Sequence, residues 1–350
     1  MPSPSTNPAP PPFHADRWGQ RWSEDGLLLR FSDGATATTV RLDPNTLVAL
    51  AAQLAEVVAR HEQVGGMLWS EDAARLGAIT DERLFWQERP MTGRFAAPAE
   101  RLYRLIRQLP LNGFERSFKL LPGQLLRDRW LVGISTGSLA AADLDFLAAQ
   151  MGAPADFITT LRAERPAASF VHIGFEAGST RCSYKLYLEF ASGSTSMPLY
   201  RGFKWNPLDP AERGVSNYTQ PARLALDDVL EKIARRYEAD GTSAVCETAQ
   251  AIVSLAAQRS GAAALMFVDV TDDHSPRLSF DVNLYESGLQ VGELRARLLP
   301  LARVFGLARD EDLSALVDQT ENDLAGHLSG GVDSEGRAFL TLYHARPRKV

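Results

Sequence analysis

Two cysteines, Cys182 and Cys246, are too few for a disulfide framework or a multi-cysteine metal site in a chain of 350 residues. Reduced thiols and a cytoplasmic setting are therefore expected. No apolar run reaches the roughly 18 residues that a membrane-spanning helix requires, so no membrane partner is expected. The six histidines are dispersed, without HExxH or paired-ligand spacing, which argues against a zinc site. No Gly-x-Ser-x-Gly elbow occurs, and no Walker A or GxGxxG loop follows a strand. A formal charge of -6 offers no basic surface for nucleic acid, and the tail carrying Arg346, Arg348 and Lys349 is too short to supply one. The opening MPSPSTNPAPPPF lacks the charged and apolar regions of a signal peptide. Its prolines and small polar residues predict a disordered leader over residues 1–15, followed by a single domain over 16–350.

What remains is ordinary globular material, 45% hydrophobic and 23% charged, with ample length for a core. Its punctuation is regular. Residues 26–32 and 36–42 flank Asp33-Gly34, a strong hairpin signal. Asp43-Pro44 then opens a helix predicted over 45–61. Residues 64–97 read as irregular, and a helix is predicted from Pro98 to about 109. A second hairpin covers 114–121 and 125–134 around Pro122-Gly123, followed by a helix from Ser138 to 151. The third hairpin lies within 169–205, with a loop predicted at 207–220. Helices are predicted over 221–237 and 243–259. The fourth hairpin pairs 263–271 with 276–285 through Asp272-Asp273, and that pair of aspartates reads as a turn rather than a metal site. Two more helices, 291–305 and 311–323, precede a glycine-rich connection at 326–333 and a last strand at 336–344.

Strands thus come in adjacent pairs between helices, which excludes a βαβ reading and predicts an antiparallel sheet. Closing that sheet into a barrel would remove its edges and leave helices against its outer, apolar face. Two α+β domains divided near 207–220 are the alternative.

The strands have two contrasting faces, because residues i and i+2 point the same way. Over 181–190, Ser183, Lys185, Tyr187 and Glu189 oppose Tyr184, Leu186, Leu188 and Phe190. Over 276–285, Arg277, Ser279, Asp281, Asn283 and Tyr285 oppose Leu278, Phe280, Val282 and Leu284. His172 and Glu176 oppose Val171, Ile173 and Phe175; Tyr200 shares a face with Lys204, Ser117 with Lys119, and Tyr343 with Thr341 and Phe339. With helices over the apolar faces, these polar sets converge in one lumen; without closure they face solvent. A lumen of lysine, arginine and tyrosine suits a diphosphate with a carbocation forming beside it. The cations hold the phosphates, the tyrosine faces stabilise the cation and exclude water, and a buried carboxylate orients or deprotonates an aromatic acceptor.

Paired strands between helices with a basic, tyrosine-rich inner face resemble the ABBA aromatic prenyltransferases, a family with an α+β fold. Lys185-Leu186-Tyr187 is similar to the Lys-x-Tyr strands of its indole, or tryptophan dimethylallyltransferase, branch, where Arg-x-Lys-x-Tyr is frequent. Here Arg181-x-Ser183-x-Lys185-x-Tyr187 departs from that pattern at Ser183. The resemblance implies an antiparallel ten-stranded barrel of α-β-β-α units ringed by helices. It also implies transfer of a prenyl group from an isoprenoid diphosphate to an aromatic small molecule, in the setting of secondary metabolism. No cofactor is strictly required, with magnesium compatible. By this resemblance Lys119, Lys185, Lys204 and Arg277 bind diphosphate, Tyr187, Tyr200, Tyr285 and Tyr343 shield the cation, Asn283 lies on the same inner face, and Glu176 or Asp281 handles the acceptor. A non-catalytic barrel or α+β protein binding an anionic metabolite or a peptide is the alternative.

Overall fold

A computed structural model describes residues 17–23, 26–32, 37–46, 93–107, 109–190, 198–221, 224–238, 243–273 and 278–346. The chain falls into two compact units, residues 1–66 and 67–350. In the first, β1 (Arg17–Ser23), β2 (Gly26–Ser32) and β3 (Ala37–Leu42) form a three-stranded antiparallel sheet. The predicted first hairpin is its β2–β3 pair, with Ser32 opposite Ala37. Asp43 begins a helical turn: its Oδ1 accepts the backbone N–H groups of Asn45 and Thr46, both at 3.0 Å, as an N-cap side chain does. The rest of the helix predicted over 45–61, and residues 64–92 of the irregular stretch, lie outside the described residues.

The second unit is built on a closed barrel. Its strands are β4 (Gly113–Leu121), β5 (Gln124–Leu126), β6 (Arg129–Ser135), β7 (Ala168–Ala177), β8 (Cys182–Phe190), β9 (Tyr200–Asn206), β10 (Asp209–Thr219), β11 (Met266–Asp272), β12 (Leu278–Asn283), β13 (Leu324–Val332) and β14 (Ala338–Ala345). Ten of them form an antiparallel ring that closes where β14 pairs with β4, from Leu340↔Leu120 to His344↔Arg116; β5 adds a short branch on β4. Closure leaves no free edge in the ring.

Helices pack outside the ring because the strands offer them apolar faces. On one side α1 (Ala96–Ile106), α2 (Ala141–Gln150) and α3 (Ala155–Glu164) bury Leu102, Ile106, Leu144, Leu147, Phe157 and Leu161 against Val171, Ile173, Phe175, Leu186 and Leu188. On the other, α4 (Leu226–Tyr237) and α5 (Ser243–Ser260) bury Val229, Ile233, Val245 and Ile252 against Phe280, Val282, Leu328, Leu340 and Leu342. Each such side chain contributes about 1.5–3 kcal/mol on burial. The predicted apolar faces of β7, β8, β12 and β14 are therefore the helix-facing ones, and the alternate residues line the inside. The helix predicted over 291–305 breaks at Leu299-Pro300 into short segments, Val291–Leu294, α6 (Arg295–Leu298) and α7 (Leu301–Val304), before α8 (Asp310–Gln319); a proline inside a helix removes a backbone donor. Among the described residues no helix is long and apolar enough to cross a membrane.

Three expectations are corrected. The predicted loop at 207–220 is β10, paired with β9 and β11, so the chain does not divide there into two domains. Its prolines mislead because the register jumps between Asp209 and Arg213, and Pro210 falls in that irregularity, where no ladder N–H is required. The predicted connection at 326–333 belongs to β13, between β12 and β14. Its glycines are sites of close approach. A Cβ on Gly326 would lie 2.4 Å from the Tyr285 ring, and one on Gly330 would lie 2.1 Å from the hydroxyl of Tyr237, which donates to the Phe339 carbonyl at 2.9 Å. Finally, the single strand predicted over 125–134 is broken between β5 and β6, which starts β6 at Arg129.

The Gly330→Ala variant is expected to lose about 1–3 kcal/mol of stability through overpacking. Gly214→Ala, where nothing lies within 4 Å of the added carbon, is expected to stay within about 0.5 kcal/mol of the parent. Urea unfolding of both variants checks the contrast, and equal losses would contradict it.

Candidate functional site

The inner faces enclose a polar cavity of about 700 Å³, with a smaller pocket of about 60 Å³ continuing from it. Tyr187, Tyr218, Tyr343 and Asp281 border both. The lumen therefore has three levels: a charged mouth, a tyrosine layer and a polar floor.

At the mouth Glu176 projects from β7 among four cationic side chains. Arg129 stands directly opposite it on β6, and Nη1 of that residue lies 2.7 Å from Glu176 Oε2. The ammonium of Lys185, on β8, contacts the same oxygen. Lys204 on β9 faces Lys185 in register, and Lys119 on β4 places its ammonium 4.1 Å from the centroid of the Phe339 ring. Burial alone would raise the Glu176 pKa. Arg129, then Lys185, Lys204 and Lys119, override burial and hold the carboxyl well below its usual range. Glu176 is thus ionised at neutral pH and a poor proton acceptor. Burial, in turn, pushes the Lys185 ammonium well below its ordinary value despite Glu176, with Arg129 and Lys204 adding to the depression. Lysines directly opposite each other repel; here the pair shares a wall with one carboxylate. Arg129 is further fixed by its Nε, which donates to Ser117 Oγ at 3.1 Å.

Below the cations Tyr187 and Tyr218 meet edge to face at 5.8 Å between centroids, and Tyr218 meets Tyr200 similarly at 5.9 Å. Such contacts favour the quadrupoles of both rings. The Tyr187 ring lies over Gly202, where a Cβ would come within 2.5 Å of it. Burial raises the pKa of Tyr187 and of Tyr343, so both phenols stay neutral.

The floor joins carboxylates to imidazoles. His327 Nδ1 lies 2.7 Å from Asp281 Oδ1, and its Nε2 lies 3.9 Å from Glu115 Oε1. Tyr285 donates its hydroxyl to Glu115. His172 Nε2 lies 2.8 Å from Glu189 Oε2. Burial raises the pKa of both Glu115 and Glu189. A carboxylate that holds one imidazole nitrogen leaves the other to exchange a proton. Among the described residues no group of three or more His, Cys, Asp and Glu side chains is arranged to hold a metal ion.

Seven of the residues expected at the site, Lys119, Glu176, Lys185, Tyr187, Lys204, Asp281 and Tyr343, border the large cavity. Tyr200 borders the small pocket alone. Asn283 and Tyr285 border neither, because β12 ends at Asn283 and Tyr285 belongs to the following 3-10 turn. Asn283 Oδ1 accepts the Tyr285 backbone N–H at 2.9 Å, so both residues form the wall behind the floor. Arg277 lies outside the described residues. Sequence reasoning missed Arg129, Tyr218, Glu115 and His327. Only Glu115 carried a readable signal: it alternates with Ser117 and Lys119 on β4.

Glu115 makes stability depend on pH in a defined direction. Its folded-state pKa lies above the ordinary 4.5 because burial disfavours the charged form. Its contribution is therefore complete below that value and is lost as pH rises through the folded pKa. Between pH 5 and pH 8 the wild type is expected to lose stability relative to Glu115→Gln. Urea unfolding at both values checks this; an unchanged difference between the two proteins would refute it.

No protein-family model matches the chain, and no curated protein matches it. Solved structures similar to it include a crystal structure of NotF prenyltransferase, with 10% identity, a TM-score of 0.42, and coverage of 67% of this chain and 81% of that one. Another is NotF in complex with brevianamide F and DMSPP, with 11% identity, a TM-score of 0.41, and coverage of 68% and 80%. Likenesses this partial decide neither family nor chemistry.

Proposed function

We propose that the lumen transfers a prenyl group from an isoprenoid diphosphate to an aromatic acceptor. The observation that carries this reading is the convergence of Arg129, Lys185, Lys204 and Lys119 on one carboxylate at the mouth of a closed lumen, directly above a layer of tyrosines. Four cations around one anion leave a positive excess suited to a diphosphate.

In this reading the diphosphate seats among the cations and its prenyl chain points down to Tyr187, Tyr218 and Tyr343. The carbon–oxygen bond breaks, and its electron pair leaves with the diphosphate. The tyrosine faces stabilise the allylic cation and keep water from it. An aromatic carbon of the acceptor attacks the cation. The ring then loses the proton from that carbon, and the C–H electron pair restores aromaticity. In this reading His327 Nε2 accepts that proton, and Asp281, 2.7 Å from Nδ1, orients the imidazole. Of the two carboxylates expected to handle the acceptor, Asp281 keeps that part and Glu176 is assigned to the cation cluster.

The test is incubation with dimethylallyl and geranyl diphosphate and pooled aromatic acceptors, followed by mass spectrometry. Acceptors heavier by one prenyl unit are expected. Unmodified acceptors with both donors would favour the non-catalytic binding protein. With an active pair in hand, Lys204→Met is expected to lower kcat/KM about 10²-fold, the cost of removing one electrostatic contact to a developing charge. Tyr218→Ala is expected to shift product toward the free prenyl alcohol, because water then reaches the cation. Chromatographic quantitation of alcohol against prenylated acceptor checks the second claim, and an unchanged ratio would remove Tyr218 from the shield.

A further inference from the structure

Glu176 occupies the position that a bound anion would take. Its Oε2 alone receives both Arg129 and Lys185, so one oxygen is the focus of two cations on the strands either side of β7. The side chain of Glu176 is 26% exposed, against 6% for Arg129 and 9% for Lys185. The carboxylate is thus the cavity-side member of the trio and the one an incoming ligand meets first. Its residue lies one position from the end of β7, beside the 178–181 turn, with Ser183 opposite it on β8. Arg129 reaches it from β6, Lys185 from β8, Lys204 from β9 and Lys119 from β4.

We propose that Glu176 is a built-in competitor for the anion site. This inference rests on the reading of the cation cluster as that site. With the lumen empty, Oε2 stands in for a phosphate oxygen and keeps the buried cations compensated. An arriving diphosphate carries more charge than one carboxylate and takes over Arg129 and Lys185, and the Glu176 side chain turns aside. When the diphosphate group is the leaving product, the return of Glu176 to its cations favours release. The residue thereby restricts the site to highly charged ligands and limits inhibition by the released diphosphate.

The experiment is calorimetric titration of the full chain with inorganic diphosphate and, separately, inorganic phosphate. Wild type, Glu176→Gln and Glu176→Asp are compared. Glu176→Gln is expected to bind diphosphate at least tenfold more tightly than wild type, with a smaller gain for phosphate. Glu176→Asp keeps the charge but shortens the reach, and is expected to gain about threefold. Equal or weaker diphosphate binding by a natively folded Glu176→Gln would overturn the proposal and make Glu176 a brace for its cations. If circular dichroism shows that Glu176→Gln does not fold, Glu176→Asp decides: tighter binding supports competition, and unchanged or weaker binding overturns it. Failure of every variant, wild type included, to bind diphosphate would instead defeat the anion-site reading, and this inference with it. Binding by wild type without a gain in the variants defeats the competitor alone.

Discussion

A guanidinium and an ammonium buried on the two barrel strands that flank β7 are costly to desolvate unless a carboxylate stands between them. Desolvating each ion costs several kcal/mol, and attraction offsets that cost only when the geometry is close. The contacts of Arg129 and Lys185 with one oxygen of Glu176 supply that geometry. The rest of the barrel makes the arrangement possible. Its apolar core is divided into helix-facing layers on the outside of the ring, so the inner face is free to be polar. Pairing of β14 with β4 closes the ring and brings Lys119 into the same lumen as Lys185 and Lys204.

The lumen is graded from mouth to floor. Cations stand above neutral tyrosines, and the tyrosines stand above carboxylates held by imidazoles or a phenol. In the proposed reading the gradient suits a ligand with an anionic head and an electron-poor middle. Burial acts in opposite directions at its two ends. At the mouth, nearby cations overcome burial and keep Glu176 ionised. At the floor, burial prevails and raises the pKa of Glu115 and Glu189. Carboxylates of similar intrinsic acidity are thereby given different tasks by their surroundings.

The architecture was readable where strands alternate cleanly. The two faces of β8 and β12 follow directly from Lys185 and Tyr187 against Leu186 and Leu188, and from Asp281 against Phe280 and Val282. It was unreadable where local residue types served a tertiary purpose. Gly326 and Gly330 look like a loop, yet they are strand positions cleared for Tyr285 and Tyr237. Pro210 looks like a loop because its irregular register is invisible in one dimension, and Tyr218 was lost with that strand. Arg129 was hidden by the break between β5 and β6, which resets the alternation. His327 lay within the same glycine-rich run. Pairings such as His327 with Asp281 join residues 46 apart, and nothing local announces them.

The central claim is that the cations around Glu176 form the seat of a diphosphate. The most direct measurement is a crystal structure of the protein soaked with inorganic diphosphate. The account predicts density for the anion within hydrogen-bond reach of Arg129, Lys185 and Lys204, with the Glu176 carboxylate moved off its present contacts. Density elsewhere on the protein, with Glu176 still bound to Arg129 and Lys185, would contradict it.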